Sequence, residues 1–334
     1  MDEEKGTTRS MKILMSVALY WVISISIVFV NKTLLSSPTN NIDAPSFITW
    51  YQCVVTVASV WFMGTMGIAN VPKFELKRDV LPKIVPLSCV FTGMILLNNL
   101  CLKYVELSFY QIARSLTILF NVAFDWIVLG NRTSLKAFGC VLLVFFGFLL
   151  GNKEEVRWSV QGVAYGVSAS FFVAMNAIYV KKKYPLVDND PWKITLYNNF
   201  ISSFLFFPIM FGFGEPKIVM QSPNIYRSEF WVLMTFGGAL GVLISFATAA
   251  QIKYTSPLTH NISATAKAAA QTVLGLMWYK NPITPLGGLS VGIVLGGSLL
   301  YTLIRRSEMQ AKDKEAKAVV EEKQPAIEEK KIAS

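Results

Sequence analysis

Charged side chains are scarce in this sequence, at 16% of its 334 residues against roughly 25% in soluble globular proteins. Hydrophobic residues make up 53% of the chain, and its mean hydropathy is +0.46. Such a composition excludes an intrinsically disordered chain, which is poor in apolar residues. It also argues against a soluble enzyme, because so few charged groups cannot keep a surface of this size in water. The composition therefore indicates an integral membrane protein.

Residues that carry redox or metal chemistry are also few. The four cysteines, Cys53, Cys89, Cys101 and Cys140, lie in apolar runs and show no Cys-x-x-Cys or Cys/His spacing. Neither a disulfide framework nor a zinc site is indicated, and we expect no metal and no cofactor. The single histidine, His260, has no acidic neighbour in the sequence and is interpreted as a polar residue at the mouth of a span.

The apolar residues are gathered in runs of a length that suits a membrane. A membrane helix needs about 20 mostly apolar residues to cross the hydrocarbon core. Ten such runs occur between polar segments, and the first is too long for the core of a cleavable signal. The sequence therefore predicts an all-α membrane protein with ten transmembrane helices, at residues 13–30, 45–67, 84–104, 107–130, 135–151, 160–179, 194–213, 230–251, 257–278 and 286–304.

Lysine and arginine are distributed unevenly between the two sides of these predicted helices. With both termini in the cytosol, the cytosolic segments hold sixteen basic residues before the C-terminal tail is counted, and the opposite side holds seven. This asymmetry predicts cytosolic tails at residues 1–11 and 307–334. Since topology explains the net charge of +10, we expect membrane lipid around the chain and no nucleic acid as a partner.

The two halves of the chain match each other. Leu102-Lys103-Tyr104 lies 150 residues before Ile252-Lys253-Tyr254, and an offset of 146 aligns Ile48 to Gln52 with Ile194 to Asn198. Chance similarity between apolar strings is the alternative, but polar residues in register count against it. An odd number of helices per half reverses the second copy, so the sequence predicts two inverted five-helix repeats, at residues 12–151 and 152–306. Halves related in this way can open a central site to either side of a membrane in turn, which indicates a transporter.

Two basic residues lie in the middle of predicted spans, Arg114 in the fourth and Lys267 in the ninth. A charge at that depth costs at least about 2.5 kcal/mol on insertion scales, so it usually faces a cavity. The repeat places both near the axis that relates the halves, and no carboxylate stands beside either in the sequence. We therefore expect an anion with about two negative charges as their partner, such as a nucleoside diphosphate ester. Snorkelling of each side chain to an interface is the alternative.

Each of these two cations belongs to a polar stripe of its own helix. At about 3.6 residues per turn, Asn121 and Asp125 share the azimuth of the arginine, and Ser263 and Gln271 share that of the lysine. Asp125 is interpreted either as part of a gate at the cytosolic end or as a structural hydrogen-bonding residue.

Span seven carries Tyr197, Asn198 and Asn199 in succession. Each asparagine offers donors and an acceptor on one amide, which matches the mixed edge of a purine base. The repeat counterparts Tyr51 and Gln52 are expected to line the other wall of the same site. Hydrogen bonding between helices is the alternative for these asparagines.

The chain resembles the nucleotide-sugar transporters of the drug/metabolite transporter superfamily over nearly all of residues 12–305. Tyr197-Asn198-Asn199 is similar to the Phe-Tyr-Asn-Asn motif of the branch that carries GDP-sugars, with Leu196 in place of Phe. Ser263 to Lys267 stands where that branch has Gly-Ala-Leu-Asn-Lys, with Ala266 in place of Asn. The string from Ala270 to Leu274 is the most specific likeness, and it is to members that carry GDP-fucose.

The resemblance implies the drug/metabolite transporter fold and an antiport, in which GDP-fucose enters the Golgi lumen and GMP leaves it. It also implies that the tyrosine and asparagines of span seven contact guanine, that the lysine of span nine contacts the phosphates, and that Ser263 and Ala264 contact the sugar end. The substitution by Ala266 argues against simple GDP-mannose specificity. From the patterns and the resemblance together, the candidate substrate-binding residues are Lys267, Arg114, Tyr197, Asn198, Asn199, Ser263, Ala264, Thr265, Gln271, Tyr51, Gln52 and Asn121.

Alternative functions stay open at this point. Another GDP-sugar such as GDP-mannose, or another organophosphate carried on the same fold, would also need the two cations. A membrane-embedded transferase fits less well, since the Asp-x-Asp string Asp188-Asn189-Asp190 falls on the predicted cytosolic side.

Compartment and assembly are open as well. Lys330-Lys331 lies one position away from a dilysine retrieval signal, so the endoplasmic reticulum is the alternative to the Golgi. Small residues in spans five and ten allow close helix contact within one chain or in a homodimer, and they are Gly139, Gly147, Gly151, Gly288, Gly292 and Gly296.

Overall fold

The computed structural model describes residues 2–36, 42–68, 71, 77–129, 134–153, 159–254, 257–279, 284–304, 307–308 and 311. Within these residues the chain is helical and contains no strand, as predicted. Its helices are α1 Asp2–Ser36, α2 Pro45–Met66, α3 Leu81–Tyr104, α4 Leu107–Ser115, α5 Thr117–Leu129, α6 Leu135–Lys153, α7 Val160–Lys183, α8 Pro191–Gly212, α9 Glu215–Gln221, α10 Ser228–Tyr254, α11 Pro257–Tyr279 and α12 Pro285–Ile304. Short 3-10 turns at Tyr184–Val187 and Pro223–Tyr226 complete it.

Seven of the described helical segments are long and apolar enough to cross a membrane. They confirm a multi-pass membrane protein, and they are Leu14–Ser36, Pro45–Met66, Leu81–Tyr104, Val160–Val187, Pro191–Gly212, Ser228–Thr248 and Pro285–Ile304. The predicted fourth, fifth and ninth spans are also helical but are not among these seven. The count of ten spans therefore stays a prediction.

The fourth predicted span is divided in two. Leu116 separates α4 from α5, and its backbone N–H donates to the carbonyl of Ala113, three residues earlier, at 3.1 Å. This 3-10 type bond tightens the chain locally and changes the azimuth of the residues in α5. The polar stripe from Arg114 to Asn121, which assumes a continuous helix, is therefore interrupted directly after the arginine. The side chain of Asp125 lies outside the described residues.

Prolines begin the two helices that the repeat pairs across its 146-residue offset. Pro45 opens α2 and Pro191 opens α8, in positions where the missing N–H costs no hydrogen bond. Asp190 caps α8 by accepting from the Trp192 N–H at 2.8 Å. The start of α2 has no such local cap and is instead capped by a carboxylate from α9. Buried Glu215 accepts from the N–H groups of Ser46 at 3.1 Å and Phe47 at 2.7 Å, which places an anion at the positive end of a helix.

The strongest helix contacts occur in pairs that the predicted repeat exchanges. Helix α3 packs most extensively on α7, and α1 packs most extensively on α10. The predicted repeat equates α1 with α7, α2 with α8 and α3 with α10. Exchanging the halves therefore converts the α3–α7 contact into the α10–α1 contact, and it leaves the α2–α8 contact unchanged. This pattern supports two related halves. The inversion of one half across a membrane, and the boundaries at residues 12–151 and 152–306, stay predictions.

Close contact between α6 and α12 accounts for one of the small residues in spans five and ten. A Cβ on Gly147 would stand 2.7 Å from Val294, and the carbonyl of Gly147 accepts from the Ser290 hydroxyl at 2.8 Å. Gly139, Gly292 and Gly296 have nothing within 4 Å of the place a Cβ would occupy. Gly147 is thus used inside the chain, and a homodimer stays a prediction.

Candidate functional site

A cavity of about 840 Å³ lies between the two halves, walled by α1, α2, α3, α4, α7, α8 and α10. This volume is within the roughly 300–1,000 Å³ of small-molecule sites. About half of the lining residues are polar and uncharged, although most of the lining surface is apolar, and among the described lining residues Arg114 alone carries a charge. The polar lining residues are Asn31, Thr49, Gln52, Thr56, Asn98, Asn99, Tyr110, Arg114, Asn176, Tyr184, Thr195, Asn198, Asn199, Ser245 and Thr248.

Arg114 is held by a short chain of hydrogen bonds in the cavity wall. Its Nη1 donates to the hydroxyl of Tyr110 at 2.8 Å, and that hydroxyl donates to Oδ1 of Asn98 at 3.1 Å. The ion pairs found in the described part of the chain join Lys103 to Asp43, Lys193 to Asp188 and Arg227 to Glu229, so none neutralises this guanidinium. An uncompensated cation in an apolar bundle attracts an anion into the cavity.

Lys267 lies beside the cavity rather than in its wall. Its ammonium donates to the Ser24 hydroxyl at 2.7 Å and stands 5.7 Å from the centre of the Tyr20 ring, between α11 and α1. Helix α11 also packs against α4, the helix that carries Arg114. The structure thus brings the two predicted cations into one region but exposes only the arginine to the cavity.

Asn198 and Asn199 both line the cavity and are buried. Oδ1 of Asn198 accepts from the Ser88 hydroxyl at 2.8 Å, and Nδ2 of Asn199 donates to the Thr195 carbonyl at 2.8 Å. These bonds orient the amides so that the donor end of Asn198 and the acceptor end of Asn199 are left for a ligand. One donor and one acceptor side by side suit a base edge, which presents both types of group.

Tyr197 does not line the cavity. Its hydroxyl accepts from the backbone N–H of Lys77 at 2.8 Å, and its ring packs in a buried cluster with Ile84, Leu87 and Val187. Consecutive residues on a helix point about 100° apart, so three in succession cannot all face one cavity. In this conformation Tyr197 attaches the segment before α3 to α8.

Of the repeat counterparts in α2, the glutamine lines the cavity and the tyrosine does not. Gln52 lines the cavity and donates from Nε2 to Oδ1 of Asn31 at 2.9 Å. The absence of a side chain at Gly237 makes room for it, since a Cβ there would stand 2.5 Å from Gln52 Nε2. Tyr51 instead shares a 2.8 Å hydrogen bond with the hydroxyl of Thr235 and does not line the cavity.

The candidate residues of α11 face α1. Ser263 accepts from Trp21 Nε1 at 2.8 Å, and Ala264 packs against the main core cluster. Gln271 is fully buried, and neither end of its amide has a partner in the described part of the chain. The side chains of Thr265 and His260 lie outside the described residues. Half-buried Asn121 is not among the residues that line the cavity.

The polar lining residues that were not among the site residues predicted from the sequence include Asn31, Tyr110, Asn176 and Tyr184. A signal existed for Tyr110, because it precedes Arg114 by four positions and so lies next to it on the same helix face. The others are single polar residues in apolar helices, which sequence alone does not separate from helix packing residues.

Comparison with known proteins gives consistent results. A family model described as the Triose-phosphate Transporter family matches residues 11–302. The chain is 48% identical over 316 residues to a GDP-fucose transporter 1 of Nematostella vectensis, covering 92% of this chain and 93% of that protein. It is 40% identical over 317 residues to a Golgi GDP-fucose transporter of Drosophila melanogaster, covering 92% and 94%.

A solved crystal structure shares the fold. It superposes with a TM-score of 0.55 at 14% identity, over 89% of this chain and 98% of that one. The family match extends over both halves of the chain and over every helix that walls the cavity. The chain therefore belongs to the Triose-phosphate Transporter family and is a transporter rather than an enzyme.

Proposed function

We propose that this chain is a Golgi antiporter that carries GDP-fucose into the lumen and GMP out of it, with both termini in the cytosol. The observation that carries the proposal is the guanidinium of Arg114, which no carboxylate of the described residues neutralises, in the wall of a cavity between the halves of a membrane protein. The relatives at 40–48% identity, which are named as GDP-fucose transporters, supply the substrate.

The phosphates occupy the region of the two cations. Arg114 presents a planar fork that matches phosphate oxygens, and it already faces the cavity. Lys267 reaches the same phosphates by exchanging its neutral Ser24 partner for an anion, which is the stronger of the two hydrogen-bond partners. Binding of a dianion neutralises both side chains and removes the repulsion between them.

The guanine base occupies the region of Asn198 and Asn199. The amide donor of Asn198 suits the O6 acceptor of guanine, and the amide oxygen of Asn199 suits its N–H donors. We assign Gln52 of α2 and Asn121, beyond the helix break, to positions farther along the substrate path. The α11 segment of Ser263, Ala264 and Thr265 is assigned to the sugar end, and Gln271 to the same helix face.

Exchange is close to electroneutral on this assignment. A GDP-sugar carries about two negative charges, and GMP carries about 1.5 to 2 near pH 7 because its second phosphate pKa is about 6. Similar charge and a shared guanine let one site accept both ligands in turn. No cofactor or metal is part of the proposal.

A second candidate is transport of another GDP-sugar, GDP-mannose in particular, because the cations and the two asparagines do not read the sugar. A sugar phosphate without a base is disfavoured, since it would leave the amides of Asn198 and Asn199 unpaired in a buried site. The test is competition by GDP-fucose, GDP-mannose, UDP-galactose and GMP against uptake of labelled GDP-fucose in liposomes. We expect inhibition by every guanine nucleotide, strongest for GDP-fucose, and little by UDP-galactose; equal inhibition by all four would contradict the assignment.

A further inference from the structure

A buried lysine stands at one end of the cavity, next to the lining residues Asn31 and Leu102. Lys32 of α1 is 8% exposed, and its ammonium donates to the carbonyls of Leu102 at 2.5 Å and Val105 at 2.6 Å. The first carbonyl lies in the last turn of α3 and the second belongs to its C-cap, where the backbone has no intrahelical donors left. Lys32 therefore ties α1 to the C-terminal end of α3.

Two further contacts lie at this end, which we call the Lys32 end. Lys103 forms an ion pair with Asp43, and Glu215 caps the start of α2. The cavity lining stops directly below, at Asn31 and Leu102. Helices α1, α2, α3 and α9 are thus joined to one another at the Lys32 end of the cavity.

The opposite end, which we call the Lys182 end, is built differently. There the lining continues to Tyr184 and Pro191, beyond the last turn of α7 and at the first residue of α8. The side chain of Lys182 is exposed. The repeat turns the α1–α3 contact into a contact between α7 and α10, yet in the described part of the chain these two helices make no comparable contact. The two halves therefore differ in whether this one seal is made.

The sequence register connects the two ends. The 150-residue offset that aligns Leu102 with Ile252 also aligns Lys32 with Lys182. In the same register Val30 falls on Val180, with a four-residue shift on either side of the α2–α8 pair, which aligns at an offset of 146. Both valines lie in the turn before their lysine, Val30 being buried in the core and Val180 lining the cavity. The carbonyl of Ile252 lies in the last turn of α10, as that of Leu102 lies in the last turn of α3.

We propose that Lys32 and Lys182 are the paired gate residues of this transporter. In the conformation described here Lys32 caps the end of α3 and seals the Lys32 end. In the opposite conformation Lys32 leaves these carbonyls, and Lys182 caps the end of α10 at the carbonyl of Ile252 and seals the Lys182 end. By the predicted topology the Lys32 end faces the lumen, so the present structure is open to the cytosol. This inference rests on the proposed transport function, which supplies the need for two conformations.

The test measures access to the cavity without any substrate. Cys53 lines the cavity from α2, so its rate of labelling by a charged, membrane-impermeant thiol reagent reports whether an end is open. The remaining cysteines are replaced by Cys89→Ser, Cys101→Ala and Cys140→Ala. In sealed liposomes, external protease cuts the C-terminal tail of molecules whose Lys182 end faces outward, and the uncut molecules expose the Lys32 end.

We expect Lys32→Ala to raise Cys53 labelling from the Lys32 end severalfold and Lys32→Arg to restore it. Adding Lys182→Ala to the Lys32→Ala chain should lower this labelling again, because it removes the seal of the competing conformation. Matched controls are Lys181→Ala and Lys183→Ala, which flank the proposed gate residue on other faces of α7. Labelling that is unchanged by Lys32→Ala in folded protein, or second-site effects equal for all three lysines, would overturn the proposal.

Misfolding of the Lys32→Ala chain does not leave the question open. Lys182 is exposed, so Lys182→Ala is not expected to disturb folding, and in otherwise native protein it should slow exchange while leaving equilibrium binding of GMP unchanged. Unchanged exchange in that variant would contradict the gate assignment. Failure of the substrate assignment is separate, because it would alter ligand competition and leave the labelling pattern in place.

Discussion

Arg114 donates to the hydroxyl of Tyr110, one helical turn earlier, at 2.8 Å, directly before the break between α4 and α5. Because of the helix break, the residues of α5 do not share the helix face of Arg114. The tyrosine fixes the guanidinium against the cavity wall. Asn98 completes the arrangement by accepting from the same hydroxyl at 3.1 Å. The fork that we propose to bind phosphate is thus oriented before a ligand arrives.

Tyr110→Phe keeps the ring and removes this hydroxyl. A hydrogen bond to a charged group contributes roughly 1.5–3 kcal/mol, so we expect KM for GDP-fucose to rise about tenfold or more, with a smaller change in maximal rate. Initial uptake rates over a range of substrate concentrations check this. Tyr51→Phe is the matched control, because the Tyr51 hydroxyl binds Thr235 outside the cavity and its loss should leave KM near the native value. A similar KM for both variants would contradict the role of Tyr110.

Lys267 and Ser24 allow the second cation to be tested separately. Lys267→Ala should abolish exchange while the protein keeps its thermal stability, because the substrate phosphates lose a charged donor. Ser24→Ala should have the opposite sign, with a lower KM, since the ammonium loses the neutral partner that holds it away from the cavity. Loss of exchange in both variants would indicate that the pair is structural.

Asn198→Ala tests the reading of the base. It removes the amide that Ser88 orients at 2.8 Å, and it should weaken GDP-fucose and GMP by about tenfold through the loss of one buried hydrogen bond. Inhibition by a simple sugar phosphate, which has no base, should change much less. Competition curves for the two ligand classes measure this difference, and an equal loss for both would remove the base-reading role.

Glu215→Ala tests the cap that α9 supplies to α2. Loss of an N-terminal cap costs about 0.5–2 kcal/mol, so the variant should unfold at a lower temperature in detergent. Since Glu215 lies outside the cavity, competition between guanine nucleotides should keep its order. The exposed acid Glu229, whose partner is Arg227, offers the control Glu229→Ala with a smaller effect. An unchanged unfolding temperature for Glu215→Ala would show that the cap contributes little.

The fold class could be predicted from the sequence because membrane helices follow from the length and hydropathy of local segments. The cavity position of Arg114, Asn198 and Asn199 could also be predicted, since polar groups at membrane depth are stable only where they face a cavity or one another. These expectations need no knowledge of which helices are neighbours.

Other features depend on tertiary packing. Tyr197 points away from the cavity, and helix geometry alone predicts this. Its hydrogen-bond partner, the backbone N–H of Lys77, could not be predicted from the sequence. Likewise, the attachment of Lys267 to Ser24 depends on α1 lying against α11, and no local pattern states that contact. Lys32 lies just beyond the predicted first span of residues 13–30, a position typical of an interfacial lysine, whereas the structure continues α1 to Ser36 and buries this lysine on the carbonyls of Leu102 and Val105.

The most direct measurement is uptake of labelled GDP-fucose by the purified native chain in liposomes loaded with GMP, compared with empty liposomes. Exchange through one shared guanine site predicts strong accumulation in the GMP-loaded vesicles and very little in the empty ones, with labelled GMP leaving as GDP-fucose enters. Equal uptake into both kinds of vesicle, or accumulation without release of GMP, would contradict it.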